Sequence, residues 1–358
     1  MKKSKRFISL SLVIVLLALT LAGCGGGETT TGNGGTTSDE SAPSSGGNAQ
    51  VESQIYAIAM DSPEDTVTFL FAEKFAELVE EKTEGRMIIE VYSNGQLGGD
   101  REILESLQNG DIAFVVQNTA PQVNFVPELA VFDLPNLFAN ADIAREVLSG
   151  PFFETIAEKY EENNIKLLAY ADQGFRVMSS NVRVEAIEDF QGIKIRTMEN
   201  PYHLEYWKSL GANPTPMAFA EVYIGLQQGT LDAQENPYEV IASSKFYEQQ
   251  DYVINTNHLL HLLSLIASPD VFNSLPAEDQ QLVLDAADEA KTWANEQADS
   301  RVSDRVNIIE ENDAEIVDLS DELRAEMVER SQPAYDMIRA AIGDELVDSI
   351  LSEVEKAQ

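Results

Sequence analysis

Apolar and polar positions change period repeatedly along this chain, and each change marks an element. Ile55 to Met60 reads as a strand, Thr66 to Thr83 repeats at helical spacing with Phe71, Phe75, Leu78 and Val79 on one side, and Met87 to Tyr92 is strand-like again. A short helix from Asp100 to Asn109, with Gly110 past its end, leads to a third strand from Ile112 to Val116. This β-α-β-α-β opening predicts an α/β fold with a mainly parallel sheet and helices on its faces.

The run Val126 to Phe138 is apolar but broken by Pro127 and Pro135, so it reads as a packed connector. Helices near Asp142 to Leu148 and Pro151 to Asn163 precede strands at Ile165 to Tyr170, Phe175 to Ser180 and Ile193 to Arg196. A helix from Pro201 to Leu210 follows, then one from Met217 to Gln228 that aligns Phe219, Tyr223 and Leu226 and ends at Gly229. After Pro237 to Ser243, strands are expected at Tyr252 to Asn255 and Leu260 to Ala267. Pro276 opens a helical pattern running to about Arg305, with Glu278 and Asp279 in its first turn. Such a helix is about 45 Å long, more than one small lobe needs, and suits a bridge between two. Glu315 to Lys356 reads as a short strand and then helices.

Length and charge narrow the function. The 358 residues suffice for about two domains, and 44% hydrophobic content supplies their cores. Acidic residues outnumber basic ones 61 to 24, for a formal charge of −37, which argues against nucleic acid or an anionic membrane surface as partner. Only the amino terminus is basic. Met1 to Arg6 precedes an apolar run from Phe7 to Ala22 and then Leu21-Ala-Gly-Cys24, the layout of an export signal over residues 1–23. Leu-Ala-Gly-Cys resembles the lipobox of bacterial lipoproteins, which implies a lipid on Cys24 and an anchor at the outer face of the cytoplasmic membrane or facing the periplasm. Cys24 is the only cysteine, so no disulfide within the chain is available. Residues 24–50 then form a Gly/Ser/Thr-rich tether with a span of roughly 25–30 Å.

Chemistry concentrates between Gln173 and Glu239. Arg176 and Arg196 fall at or just beyond strand ends, where crevices of α/β sheets lie, and a guanidinium matches a carboxylate with two parallel hydrogen bonds. Enzyme signatures are thin: there is no Gly-x-Ser-x-Gly elbow, no phosphate-binding Walker loop and no Gly-x-Gly-x-x-Gly. His203, His258 and His261 lack a metal-ligand spacing; His258 reads as a polar strand end and His261 as a packed or exposed ring on the opposite side. Neither a metal nor a cofactor is expected.

The motifs themselves carry a resemblance. Gly174-Phe-Arg176, Asp189-Phe-Gln-Gly-Ile-Lys-Ile-Arg196, Leu210-Gly-Ala-Asn-Pro-Thr-Pro-Met217, Phe219-Ala-Glu-Val-Tyr223 and Asp232-Ala-Gln-Glu-Asn-Pro237 stand in order. Gln96-Leu-Gly-Gly-Asp-Arg-Glu102 upstream and Leu275-Pro-Ala-Glu-Asp-Gln280 downstream continue the series. The chain resembles the solute-binding subunit of a tripartite ATP-independent periplasmic (TRAP) transporter, of the dicarboxylate-binding-protein (DctP) type. The resemblance implies a two-lobed, type II periplasmic-binding-protein-like fold with a long helix bridging both lobes. It implies lobe one at residues 51–173 plus about 262–305 and lobe two at 174–261 plus about 306–358. It further implies a non-catalytic, monomeric receptor that closes on a carboxylate and passes it to a sodium-coupled permease. Arg196 then corresponds to the two-pronged carboxylate contact, with Arg176 and Asn236 beside it, Phe219 and Tyr223 along the wall and Glu235 next to the site.

One departure bears on the ligand. Where sialate-binding relatives carry an acid and a further arginine after the third strand, this chain has Gln117-Asn118-Thr119-Ala120-Pro121. A smaller acid is therefore expected, with Gln117 and Asn118 meeting ligand hydroxyls and Asp100, Tyr170 and Gln173 as secondary candidates. A sugar acid or other hydroxylated monocarboxylate is favoured and a C4-dicarboxylate comes second. The alternative role is a sensory lipoprotein that presents the ligand to a signalling receptor.

Overall fold

The computed structural model describes residues 53–358; the export signal, Cys24 and the tether lie outside the described residues. Its strands are β1 (Gln54–Ala59), β2 (Met87–Tyr92), β3 (Phe114–Asn118), β4 (Lys166–Ser180), β5 (Lys194–Thr197), β6 (Asn213–Pro216), β7 (Ala233–Asn236), β8 (Tyr252–Ala267) and β9 (Glu315–Val317). They form one sheet in the order β2-β1-β3-β8-β4-β7-β5-β6, with β9 beside β8. At one end β1 runs parallel to β2 and β3, and at the other β5 runs parallel to β6 and β7. The α/β, two-lobed expectation holds.

Between the parallel blocks the sheet is antiparallel, which the strand periodicity did not anticipate. Four expected strands are two long ones, β4 and β8, paired antiparallel to each other along most of their lengths. The polar stretch Asp172-Gln173-Gly174 looks like a break in the sequence, yet the backbone absorbs it as a register shift between Asp172 and Phe175, with Gly174 at φ +81°. A residue without Cβ adopts that angle at no steric cost. Asn257, at φ +44°, sits at a second irregularity, where β8 bulges between Leu259 and Ile254 opposite Arg176 and Met178.

Two strands escaped the periodicity for separate reasons. β7 is Ala-Gln-Glu-Asn, wholly buried, so no apolar alternation announces it. β6 carries two prolines, which a strand tolerates at the edge of a sheet, and β6 pairs only with β5. The helix expected from Met217 to Gln228 is shorter, a 3₁₀ turn at Phe219–Glu221 followed by Val222–Gln227. Met217 is thereby left outside any helix.

The helix Val67–Lys82 follows its predicted face: Phe71, Phe75, Leu78 and Val79 are buried, and Phe75 meets Phe114 edge-on at 5.2 Å. Thr66 caps its start, accepting from the Phe69 amide at 3.3 Å. The long helix, Ala277–Glu311, extends past the expected end and spans about 52 Å. Ala286, Ala287, Ala290, Ala294 and Ala298 pack it against the core around Phe71 and Phe75, while Ile309 enters a second core with Val222, Leu226 and Phe246. Its side chains thus bridge both ends of the sheet. Near its carboxyl end Arg305 donates to Glu239 Oε2 at 2.8 Å and Asp65 Oδ1 at 2.7 Å, and Arg301 grips the same two acids.

The carboxy-terminal helices differ from the expected grouping. Leu323, Met327 and Ala334 pack beside Phe190 and Trp207, but Ile338, Val347, Ile350 and Val354 join the core of Phe132, Phe152 and Ile156. The helix Gln332–Ile342 therefore crosses between cores, and Asp344–Ala357 lies against elements that precede β4.

Candidate functional site

A cleft of about 450 Å³ opens where strand ends from both parallel blocks converge; Asp61, Asp100, Arg196, Phe219 and Tyr223 are among its lining residues. A recess of about 30 Å³ adjoins the same Asp61, Asp100, Arg196 and Phe219 and adds Asn118, Asn236 and His261. The larger volume suits a small organic molecule.

Arg196, on β5, is 1% exposed. Its Nε and Nη2 donate to the Met217 carbonyl at 2.9 and 2.8 Å, a carbonyl left free because Met217 stays out of the following helix. Its Nη1 is buried with no hydrogen-bond partner. Phe219 closes one side, its ring centroid 6.0 Å from the guanidinium carbon. Burial pushes the Arg196 pKa down to about 10, with the Arg176 charge acting in the same direction against the opposing pull of Glu235, so the group remains cationic at neutral pH.

Arg176 is arranged differently. Every guanidinium nitrogen has a protein partner: Nε the Glu235 carboxylate, Nη1 the His261 ring, and Nη2 the Glu235 carbonyl, the Glu235 carboxylate and Asn236 Oδ1 at 3.1 Å. Burial alone would raise the Glu235 pKa, but Arg176 and the His258 hydrogen bond hold it well below the usual carboxylate range. Because arginine only donates, His261 Nδ1 accepts, which fixes the neutral tautomer; burial and the Arg176 charge push its pKa well below the ordinary histidine value. His258 bonds Glu235 Oε2 at 3.2 Å and Thr256 Oγ1 at 2.9 Å and stacks on Tyr206. Both histidines are buried members of this network, which corrects the polar strand end expected at His258 and gives His261 a partner that periodicity could not identify.

The remaining candidates divide between lining and support. Asn236 lines the recess, held by Gln234 at 2.7 Å and by Arg176. Asn118 also lines it, but its amide donates to the Leu262 carbonyl and its oxygen caps Ala120. Gln117 is buried and donates to Asp100 Oδ1 at 2.5 Å, so it orients a cleft carboxyl. Tyr223 lies at the outer cleft, donating to Glu248. Tyr170 is buried against Tyr160, and Gln173 accepts from the Thr68 amide and hydroxyl at 2.9 Å; neither lines the cleft or the recess.

Sequence reasoning missed Asp61, which follows β1 at its carboxyl end. That position was itself a usable signal. It also missed a polar bridge beside the cleft, where Asn200 donates to the Ala120 carbonyl at 2.9 Å and Asp133 Oδ2 at 2.7 Å, and His203 Nε2 meets Asp133 Oδ1 at 2.9 Å. At the rim Asn124 donates to the Glu199 carbonyl at 2.8 Å, and Arg101 pairs with Glu199 at 3.3 Å.

Such a frame, with one cleft fed by both ends of a sheet and a buried arginine donor in its wall, is that of a solute-binding protein. The chain belongs to the DctP family of TRAP solute-binding proteins, described as bacterial extracellular solute-binding protein, family 7, which matches residues 58–341. It is 42% identical over 214 residues to a solute-binding protein of Verminephrobacter eiseniae, covering 60% of this chain and 64% of that relative. It is 31% identical over 290 residues to the C4-dicarboxylate-binding protein DctB of Bacillus subtilis, covering 80% of this chain and 83% of that one. Among solved structures, the sugar acid binding protein DctPAm of Advenella mimigardefordensis in complex with galactonate is similar with a TM-score of 0.83 at 31% identity, covering 86% of this chain and 99% of the other.

Proposed function

We propose that this chain captures a small organic acid in the Arg196 cleft outside the cytoplasm and delivers it to a sodium-coupled TRAP permease. One observation carries the reading: Arg196 is fixed through two nitrogens on the Met217 carbonyl, and its third, Nη1, is buried without a partner in the wall of the cleft. A carboxylate oxygen satisfies that donor with a charge-assisted bond of about 1.5–3 kcal/mol. The formal charge of −37 does not forbid an anion, because distant charges are screened over about 8 Å at physiological salt.

Asn236 and Phe219 complete the clamp, while Arg176, itself braced by Glu235, and Gln234 hold Asn236 in place. Gln117 acts through Asp100, Asn118 shapes the recess and Tyr223 the outer wall. A sugar acid or other hydroxylated monocarboxylate is the favoured ligand and a C4-dicarboxylate the second; the galactonate-bound and C4-dicarboxylate-binding relatives support an organic acid as the class. The lobes divide at residues 173/174 on β4 and 261/262 on β8, and Gly174, at φ +81° beside the register shift of β4, supports that hinge. A lipid on Cys24 and the tether keep the monomeric receptor beside its permease.

A thermal-shift screen of aldonates, uronates, keto acids and dicarboxylates tests the reading. At least one acid raises Tm in the wild type and fails to do so in Arg196→Ala. No shift with any carboxylate, or equal shifts in both proteins, overturns it.

A further inference from the structure

Two acids share the cleft with Arg196 without neutralising it. Asp61 follows β1 and Asp100 opens the helix Asp100–Gln108, so they reach the site from separate elements, and both line the cleft and its recess. Among the described residues, neither lies within ion-pair distance of a lysine or arginine. Their orientations are nonetheless set. Gln117 donates to Asp100 Oδ1 at 2.5 Å and to its carbonyl at 3.0 Å, and Ser62 donates to Asp61 Oδ1 at 3.2 Å.

The two carboxyls sense each other. Desolvation of the half-buried Asp100 carboxyl pushes its pKa up to about 8, and the charge of Asp61 adds to the rise against the pull of Gln117 and Arg196. Burial raises Asp61 as well, opposed by the Ser62 hydrogen bond and Arg196. Near neutral pH the pair therefore favours holding one proton between two carboxyl groups, as adjacent like charges do. It then presents several acceptor lone pairs and a single donor.

We infer that Asp61 and Asp100 form a discriminating wall of the cleft they share with the Arg196 clamp, accepting hydrogen bonds from ligand hydroxyls and turning away a second carboxylate. This rests on the proposal that Arg196 holds the first carboxylate. A hydroxyl donates and accepts, so it satisfies the pair in either protonation state. A second carboxylate brings only acceptors and a charge. The one shared proton serves one of its oxygens and leaves the ionised carboxyl facing it. The cleft thus selects polyhydroxylated monocarboxylates over C4-dicarboxylates through repulsion as much as attraction.

Titration calorimetry with galactonate, D-erythronate and succinate tests the inference on the wild type, Asp61→Asn, Asp100→Asn and the double variant. The wild type prefers a hydroxylated acid over succinate by about tenfold or more, and the double variant narrows that ratio by about tenfold through gained succinate affinity. Wild-type preference for succinate overturns the inference whether or not the variants fold, while leaving a carboxylate receptor intact. An unchanged ratio in a folded double variant does the same. Absence of binding by all three acids, together with a blank carboxylate screen, overturns the underlying reading and the inference with it.

Discussion

Replacing Arg196 by lysine keeps the positive charge and removes the fork. In the native protein Nε and Nη2 both hold the Met217 carbonyl, at 2.9 and 2.8 Å, and Nη1 is left for a ligand. An ammonium on a shorter stem serves either the carbonyl or the ligand with good geometry. At least one charge-assisted bond is lost, about 1.5–3 kcal/mol, and at 1.4 kcal/mol per decade affinity falls about 10–150-fold. Calorimetry with the acid that gives the largest thermal shift measures this. Circular dichroism verifies that the variant is folded. Arg183→Lys serves as control, since Arg183 is a surface residue paired with Glu185 and Glu315. Affinity of Arg196→Lys within roughly threefold of wild type would refute the role of the fork.

Three other outcomes follow from the geometry. Asn200→Ala removes a helix cap on the Tyr202 and His203 amides and a donor to buried Asp133, and urea denaturation reads a loss of about 2–4 kcal/mol. Arg305→Ala leaves Asp65 and the buried Glu239 with Arg301 alone; a loss of about 1–3 kcal/mol is expected, and an unchanged urea midpoint contradicts a structural part for this bridge. Asp100 has a folded pKa of about 8, above its ordinary 3.8, so the folded state binds the proton more tightly and the stability gained from it is lost as pH rises from about 4 through about 8. Asp61 and Glu199 add to the repulsion there and Arg196 opposes it; affinity for an anionic acid accordingly falls between pH 7 and 9, a decline that Asp100→Asn flattens in calorimetry.

The prominence of Arg196, Asn236 and Phe219 was legible in the motif run itself, and the recess adjoining the cleft gathers all three. Arg176 was equally visible, yet its donors go to Glu235, His261 and Asn236 because β4, β7 and β8 bring those side chains together from positions 59 to 85 residues away. Histidine spacing along one strand could not reveal that each ring meets one partner of the Arg176–Glu235 pair. Asp61 and Asp100 stood out little among 61 acids, since only their mutual proximity and half-buried place in the cleft distinguish them from solvated ones.

The sequence by itself determined most of the helices, the opening strands and the α/β class, because local periodicity and capping residues act over a few positions. It also determined, through its motif order, the family to which the chain belongs. Tertiary structure alone decided that β4 and β8 run through the middle of one sheet, that the last helix packs against elements preceding β4, and which charged groups are free to meet a ligand. Pairing partners, desolvation and the coupling of two carboxyls depend on distances between remote segments, and no window along the chain contains them.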